Sequence, residues 1–148
     1  MKNKLALAIA LMLPFSAMAA TQYGDWTYNE KLNAYATTEI VYKASQGLIK
    51  KNKDGSLQFG IHVPYETCYV DERVPEPLGT LVVVGGYYDF KIQCLGKNEA
   101  VIFSQETGVN ESIIQALVKN GNVCLSDNTG KLCFSGKGVK DIQESFKP

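Results

Sequence analysis

Few residues in this chain could do chemistry. His62 is the single histidine, and so the single side chain of the usual general-base type. A nucleophile needs a base within hydrogen-bond reach. His62 lies mid-strand between Ile61 and Val63, and alternation points it away from both, toward solvent. Paired carboxylates for glycosidic chemistry must sit roughly 5–10 Å apart in a cleft. Asp71 and Glu72 are adjacent and face apart, while Glu66 and Glu76 fall in loops. No glycine-rich loop opens a helical pattern, so there is no phosphate cradle of that kind. Lys50, Lys51 and Lys53 run into Asp54-Gly55, which reads as the solvated tip of a hairpin. Asn110-Glu-Ser112 fits a glycosylation sequon, which has no force in a bacterial-type export product. The residues therefore point to a protein that is not an enzyme and needs no cofactor.

The cysteines carry more information. Cys68, Cys94, Cys124 and Cys133 form no C-x-x-C pair, so a thioredoxin-like site is not indicated. A zinc site would want two close cysteine pairs or several histidines. Cys124 and Cys133 flank the turn Asp127-Asn-Thr-Gly130. With Asn128-Thr129 as a two-residue loop, Cys124 faces Cys133 at a non-hydrogen-bonded site, where side chains come closest. A type I turn with Gly130 left-handed would shift the register and set Cys124 against Phe134. The first register is favoured, which leaves Cys68 to pair with Cys94.

Disulfides need an oxidising compartment, and the N-terminus provides for one. Met1-Lys-Asn-Lys4 is basic, Leu5 to Phe15 is apolar, and Ser16-Ala-Met-Ala19 is a small-residue exit. This is the three-part pattern of a secretory signal peptide over residues 1–19, cut after Ala19. The run is shorter than the ~20 residues of a membrane span, and Pro14 interrupts it. Removing it leaves residues 20–148 as a single β-rich domain in the periplasm or released. That domain holds 13 basic and 15 acidic side chains. A charge so near neutral argues against a nucleic-acid binder, and no later stretch is long enough to span a membrane.

The elements that position these residues read mostly as strands. They are Tyr23–Tyr28 with Trp26 as a core anchor, Ala34–Tyr42, Leu48-Ile49, Leu57–Val63, a short strand Thr67–Asp71, and Glu99–Gln105. Thr80–Val84, Gly85-Gly86 and Tyr87–Cys94 form a hairpin with Gly-Gly as its turn. Tyr88, Phe90, Ile92 and Cys94 share its apolar face. Glu72–Gly79, with Pro75 and Pro77, reads as a stiff exposed loop. Two short helices come late, over Asn110–Gly121 and Gly138–Phe146. The expected fold is mainly β: a small disulfide-stapled β-sandwich or partly closed barrel with two short helices near the C-terminus.

The order of features resembles the invasion-associated locus B family of exported proteobacterial proteins. The points of contact are Gly24-Asp25-Trp26, a strand ending near Pro64, Gly79 before a Val-rich strand, Cys94 and Ala100. Ile114-Gln-Ala-Leu117, Asn120-Gly121 and Phe134-Ser-Gly-Lys-Gly138 close the series. That family carries further cysteines soon after the Trp and just past the central one, where this chain has Tyr28-Asn29 and Lys97-Asn98. The resemblance implies a small β-sandwich that acts by binding, with no catalytic residues to carry over.

The expected role is that of an exported envelope protein that binds a protein or surface component, in host interaction or as an envelope accessory. The alternative is a periplasmic inhibitor or immunity-type protein that blocks a toxin, hydrolase or phage; a small hydrolase comes third. The partner-facing surface is expected at Tyr69, Asp71, Glu72, Arg73 and Glu76, on a loop held by Cys68. Tyr87 and Tyr88, with Tyr65, are expected to crowd the same end of the sheet.

Overall fold

The computed structural model describes residues 20–68 and 74–148. The expected signal peptide, and Tyr69, Asp71, Glu72 and Arg73, lie outside the described residues. The chain runs β1 (Gln22–Tyr23), β2 (Trp26–Asn29), β3 (Ala34–Thr38), β4 (Gln46–Lys51), β5 (Leu57–Pro64), β6 (Glu76–Val83), β7 (Gly86–Gly96), β8 (Glu99–Phe103), α1 (Thr107–Asn120), β9 (Asn122–Ser126), β10 (Lys131–Ser135) and α2 (Val139–Ser145). All ten strands join one antiparallel sheet in the order β1-β2-β3-β4-β5-β8-β7-β6-β9-β10. The mainly β fold with two helices and two disulfides is as expected. Its strands curl as a single sheet instead of stacking as two.

One face of every strand feeds one core. Trp26, Tyr35, Ile49, Phe59, Ile61, Val83, Phe90, Leu125 and Phe134 point inward, and α1 fills the curve with Val109, Ile113, Ile114 and Leu117. Buried Asn110 locks the helix in place: its Oδ1 accepts the Phe59 N–H of β5 at 3.1 Å, and its Nδ2 donates to the carbonyls of Ser104 and Glu106. This corrects the expected helix start. Asn110 lies a turn inside α1, because its amide is used for tertiary anchoring instead of capping.

The ladder does not close, and side chains stitch its two ends together. The Trp26 indole N–H donates to the Ser135 carbonyl at 2.9 Å, and the Ser135 hydroxyl donates to Asp25 Oδ2 at 2.6 Å. Asp25 N–H donates to the Lys137 carbonyl. The backbones of Tyr23-Gly24 and Lys137-Gly138 pass so close that only glycine fits. A Cβ on Gly24 would lie 2.3 Å from the Lys137 oxygen, and one on Gly138 would lie 1.9 Å from that of Tyr23.

Several strands and turns depart from expectation. The strand begun at Ala34 ends at Thr38, not Tyr42, because Glu39 turns the chain out of the sheet. The stiff loop before Thr80 is strand from Glu76. Pro77 is tolerated because β9 meets β6 only at Val82, so the ladder is one-sided there. The hairpin turn is Val84-Gly85, not Gly85-Gly86: Val83 pairs with Gly86, and Val84 and Gly85 take φ of 50° and 73°. Of the expected strand Thr67–Asp71, Thr67 and Cys68 lie in a turn that hydrogen-bonds to Asn98 through Tyr65 and Cys68, and the rest lies outside the described residues.

Candidate functional site

Glu39 organises the most distinctive surface of the molecule. It is wholly buried. Its carboxylate accepts the backbone N–H groups of Val41 (2.8 Å), Tyr42 (2.6 Å), Lys43 (3.3 Å) and, across the seam, Cys133 (2.8 Å). Ile40 N–H donates to the Cys133 carbonyl at 2.9 Å. Burial pushes the Glu39 carboxyl up, and the N–H groups of Cys133, Val41, Tyr42 and Lys43 more than offset it, holding it below the ordinary glutamate range. One acidic side chain thus fixes a loop whose outer side chains, Ile40, Val41 and Tyr42, all face solvent.

That loop borders a mouth at one end of the curled sheet. A cavity of about 310 Å³ opens there, walled by Ile61, Leu81, Ile102, Leu125 and Leu132, with Tyr42 and Leu78 at the rim. The register of β6 slips between Pro77 and Gly79, which frees Leu78 from the ladder. The turn Asp127–Gly130 closes the opposite rim. The Thr129 hydroxyl and N–H and the Gly130 N–H hold the Asp127 carboxyl below the ordinary aspartate range. Among the exposed large apolar side chains of the described residues, Tyr42 and Leu78 line this mouth, Ile40 and Val41 adjoin Tyr42, and Tyr65 and Val74 line a neighbouring pocket. A cluster of that kind on a protein surface marks an interaction site.

Both disulfides brace this end. Cys68–Cys94 ties the base of the expected partner loop to β7, and Cys124–Cys133 staples the β9–β10 hairpin beside Glu39. Cys124 pairs directly with Cys133, in the favoured register.

The sequence-predicted contact residues are divided. Glu76 opens β6 at the mouth end. Tyr87 and Tyr88 flank the β6–β7 turn at the far end, so they do not crowd against Tyr65. Tyr87 is 79% exposed, whereas Tyr88 points inward and packs on the core. Sequence reasoning missed Glu39, Ile40, Val41 and Tyr42 because they extend a β-branched, aromatic run and read as strand.

His62 also departs from expectation. It does face away from the core, yet it is only 20% exposed, and its Nε2 lies 3.8 Å from Glu99 Oε1. His62 and Ser45 together line a pocket separate from the mouth. Ser45 Oγ and His62 Nε2 are both buried without a hydrogen-bond partner, so they are not bonded to one another. The serine and histidine do not form a nucleophile–base pair there. Among the described residues no group of three or more His, Cys, Asp or Glu side chains is placed to hold a metal ion, and no helix is long and apolar enough to cross a membrane. The chain matches no protein-family model, no curated protein and no solved structure.

Proposed function

We propose that this is an exported, non-enzymatic protein that binds another protein or a surface component in the bacterial envelope through the mouth of its curled sheet. One observation carries the reading. A solvent-facing apolar loop, Ile40-Val41-Tyr42, is held in one conformation by a buried carboxylate beside an apolar cavity. A pre-ordered apolar surface loses little entropy on binding, which is what makes such contacts strong. The cavity suits an apolar anchor side chain from the partner, the usual centre of an interface. Two disulfides that use all four cysteines suit an oxidising compartment. The cleavable leader over residues 1–19 and the resemblance to the invasion-associated locus B family agree with export and with a role in binding.

The inhibitor reading has its own support in the Cys68–Cys94 bridge, which tethers a Pro-containing segment as a stapled inhibitor loop would be. One experiment addresses both. The mature protein is immobilised and exposed separately to envelope extract and to culture fluid or infected cells. The same is done with a V41S/Y42S double variant, whose changes are solvent-exposed and leave the melting temperature in place. A partner from the envelope, lost with the variant, supports the leading reading. A partner from outside the cell supports the inhibitor. Capture that the variant does not weaken overturns the mouth as the binding surface.

A further inference from the structure

The outer face of the sheet carries a second site, and its case does not rest on the mouth. Its polar half is a pocket of about 540 Å³ between the Lys43–Gln46 segment, the end of β5 and the β7–β8 turn. Two of its groups are buried polar atoms without partners, Ser45 Oγ and His62 Nε2. Ser45 is more than nine-tenths buried. Buried polar atoms are almost always satisfied, so an orphan pair in one pocket asks for a ligand atom or water. The remaining groups are mostly donors. Lys43 and Lys97 form no ion pair among the described residues, and Asn98 and Thr38 complete the wall. The one acid, Glu99, lies 3.8 Å from the Lys31 ammonium.

Glu99 also borders a groove of about 350 Å³ that continues along the same face toward β3 and β4. Ala34, Leu48, Gly60, Val101 and Phe103 give it an apolar strip, with Lys31, Lys50, Gln58 and Gln93 along its sides. The strand register makes the two sites continuous: His62 pairs with Val101, and Gly60 with Phe103, on adjacent strands. We infer that this face binds an anionic amphiphile, with its oxyanion among Lys43, Lys97, Ser45 and His62 and its apolar body along the groove. A charged head in the pocket satisfies both orphan atoms and matches the two lysines, which form no ion pair among the described residues. The apolar strip favours a ligand with a hydrocarbon body over a bare anion.

The test uses the mature protein, ¹⁵N-labelled, with inorganic phosphate, octanoate and octyl phosphate below its micelle concentration, each at constant ionic strength set with chloride. Saturable shifts are expected at the amides of Lys43, Ser45, His62 and Asn98 with all three. With the two alkyl ligands they should extend to Leu48, Val101 and Phe103. Octyl phosphate should bind about tenfold or more tightly than inorganic phosphate, and K43M/K97M should weaken it about tenfold. K140M, on α2, should change nothing. Whether octyl phosphate or octanoate binds better decides between a phosphate and a carboxylate head, and either order supports the site. No saturable shifts, or shifts that K43M/K97M leaves unchanged, overturn it. Equal affinity of phosphate and octyl phosphate overturns the assignment of the groove to the ligand's body.

Discussion

At the scale of the residue, Glu39 shows how one buried charge can be worth keeping. An unpaired carboxylate in a protein interior is costly, and four backbone donors supply what water would otherwise give. A carboxyl held below its unfolded value stabilises the fold above that value and withdraws the stabilisation as the pH falls through the folded one. The unfolded value is about 4.3. The melting temperature should therefore be flat above about pH 5 and fall steadily below about pH 4. E39Q should melt lower at neutral pH, by about 2 kcal/mol, since an amide nitrogen would face donors that it cannot accept from. It should also lose part of the acid slope. Scanning calorimetry from pH 3 to pH 7 on both proteins checks this, and parallel slopes would remove Glu39 from the account. None of it was legible from the chain, where Glu39 is one acid in a β-branched run. Its partner Cys133 is distant in sequence, and the contact exists only once the sheet has curled.

At the scale of the element, local chemistry was readable where it was self-contained. The Cys124–Cys133 hairpin followed from counting outward from its turn, because both strands and the loop lie within one short stretch, Asn122–Ser135. The β6–β7 hairpin was readable as a hairpin and misplaced by one residue. Gly85-Gly86 looked like the better turn, but Val84 takes the left-handed position instead. The cause lies in the strands: pairing Val83 with Gly86 keeps Leu81, Val83, Tyr88 and Phe90 all on the core face. A slip of one would turn an arm inside out. The sheet thus imposes on a β-branched residue a backbone that costs it about 1–2 kcal/mol. V84N, which creates the Asn-Gly pair that such turns prefer, should raise stability by about 1 kcal/mol and the melting temperature by about 3 °C. Val84 is half exposed, so little packing is lost. Thermal melts followed by circular dichroism would show it, and an unchanged or lower midpoint would mean that the valine is not strained.

At the scale of the whole molecule, neither candidate site was legible, because neither belongs to one stretch of chain. The mouth draws on the loop after β3, the bulge of β6 and the β9–β10 turn. The outer pocket draws on strands that are neighbours only through the β5–β8 pairing. The run of short strands between turns indicated the fold class and the cysteines indicated the braces, but curvature decides which loops meet. The seam is where that curvature is secured, and Gly138 is its tightest point. G138A should cost about 3 kcal/mol or more, combining a strained positive φ with overlap against the Tyr23 carbonyl. G55A has a similar positive φ but open space around it, and should cost only about 1 kcal/mol. Trp26 is the single tryptophan and sits in the seam, so its fluorescence during urea unfolding reports the difference directly. Equal losses in the two variants would show that the crossing tolerates a methyl group.

Trp26 and Ser135, bonded to each other, stand 109 residues apart. A chain made from its first residue onward, or drawn through a narrow pore in that direction, can pair β1 to β5 in turn but cannot make this seam until its last segment has arrived. Early hairpins can form, but the lock between the first and last segments cannot. Such a chain stays open while it is being threaded and sets only when delivery is complete. Timing is in this way written into the place where the two ends of the domain cross.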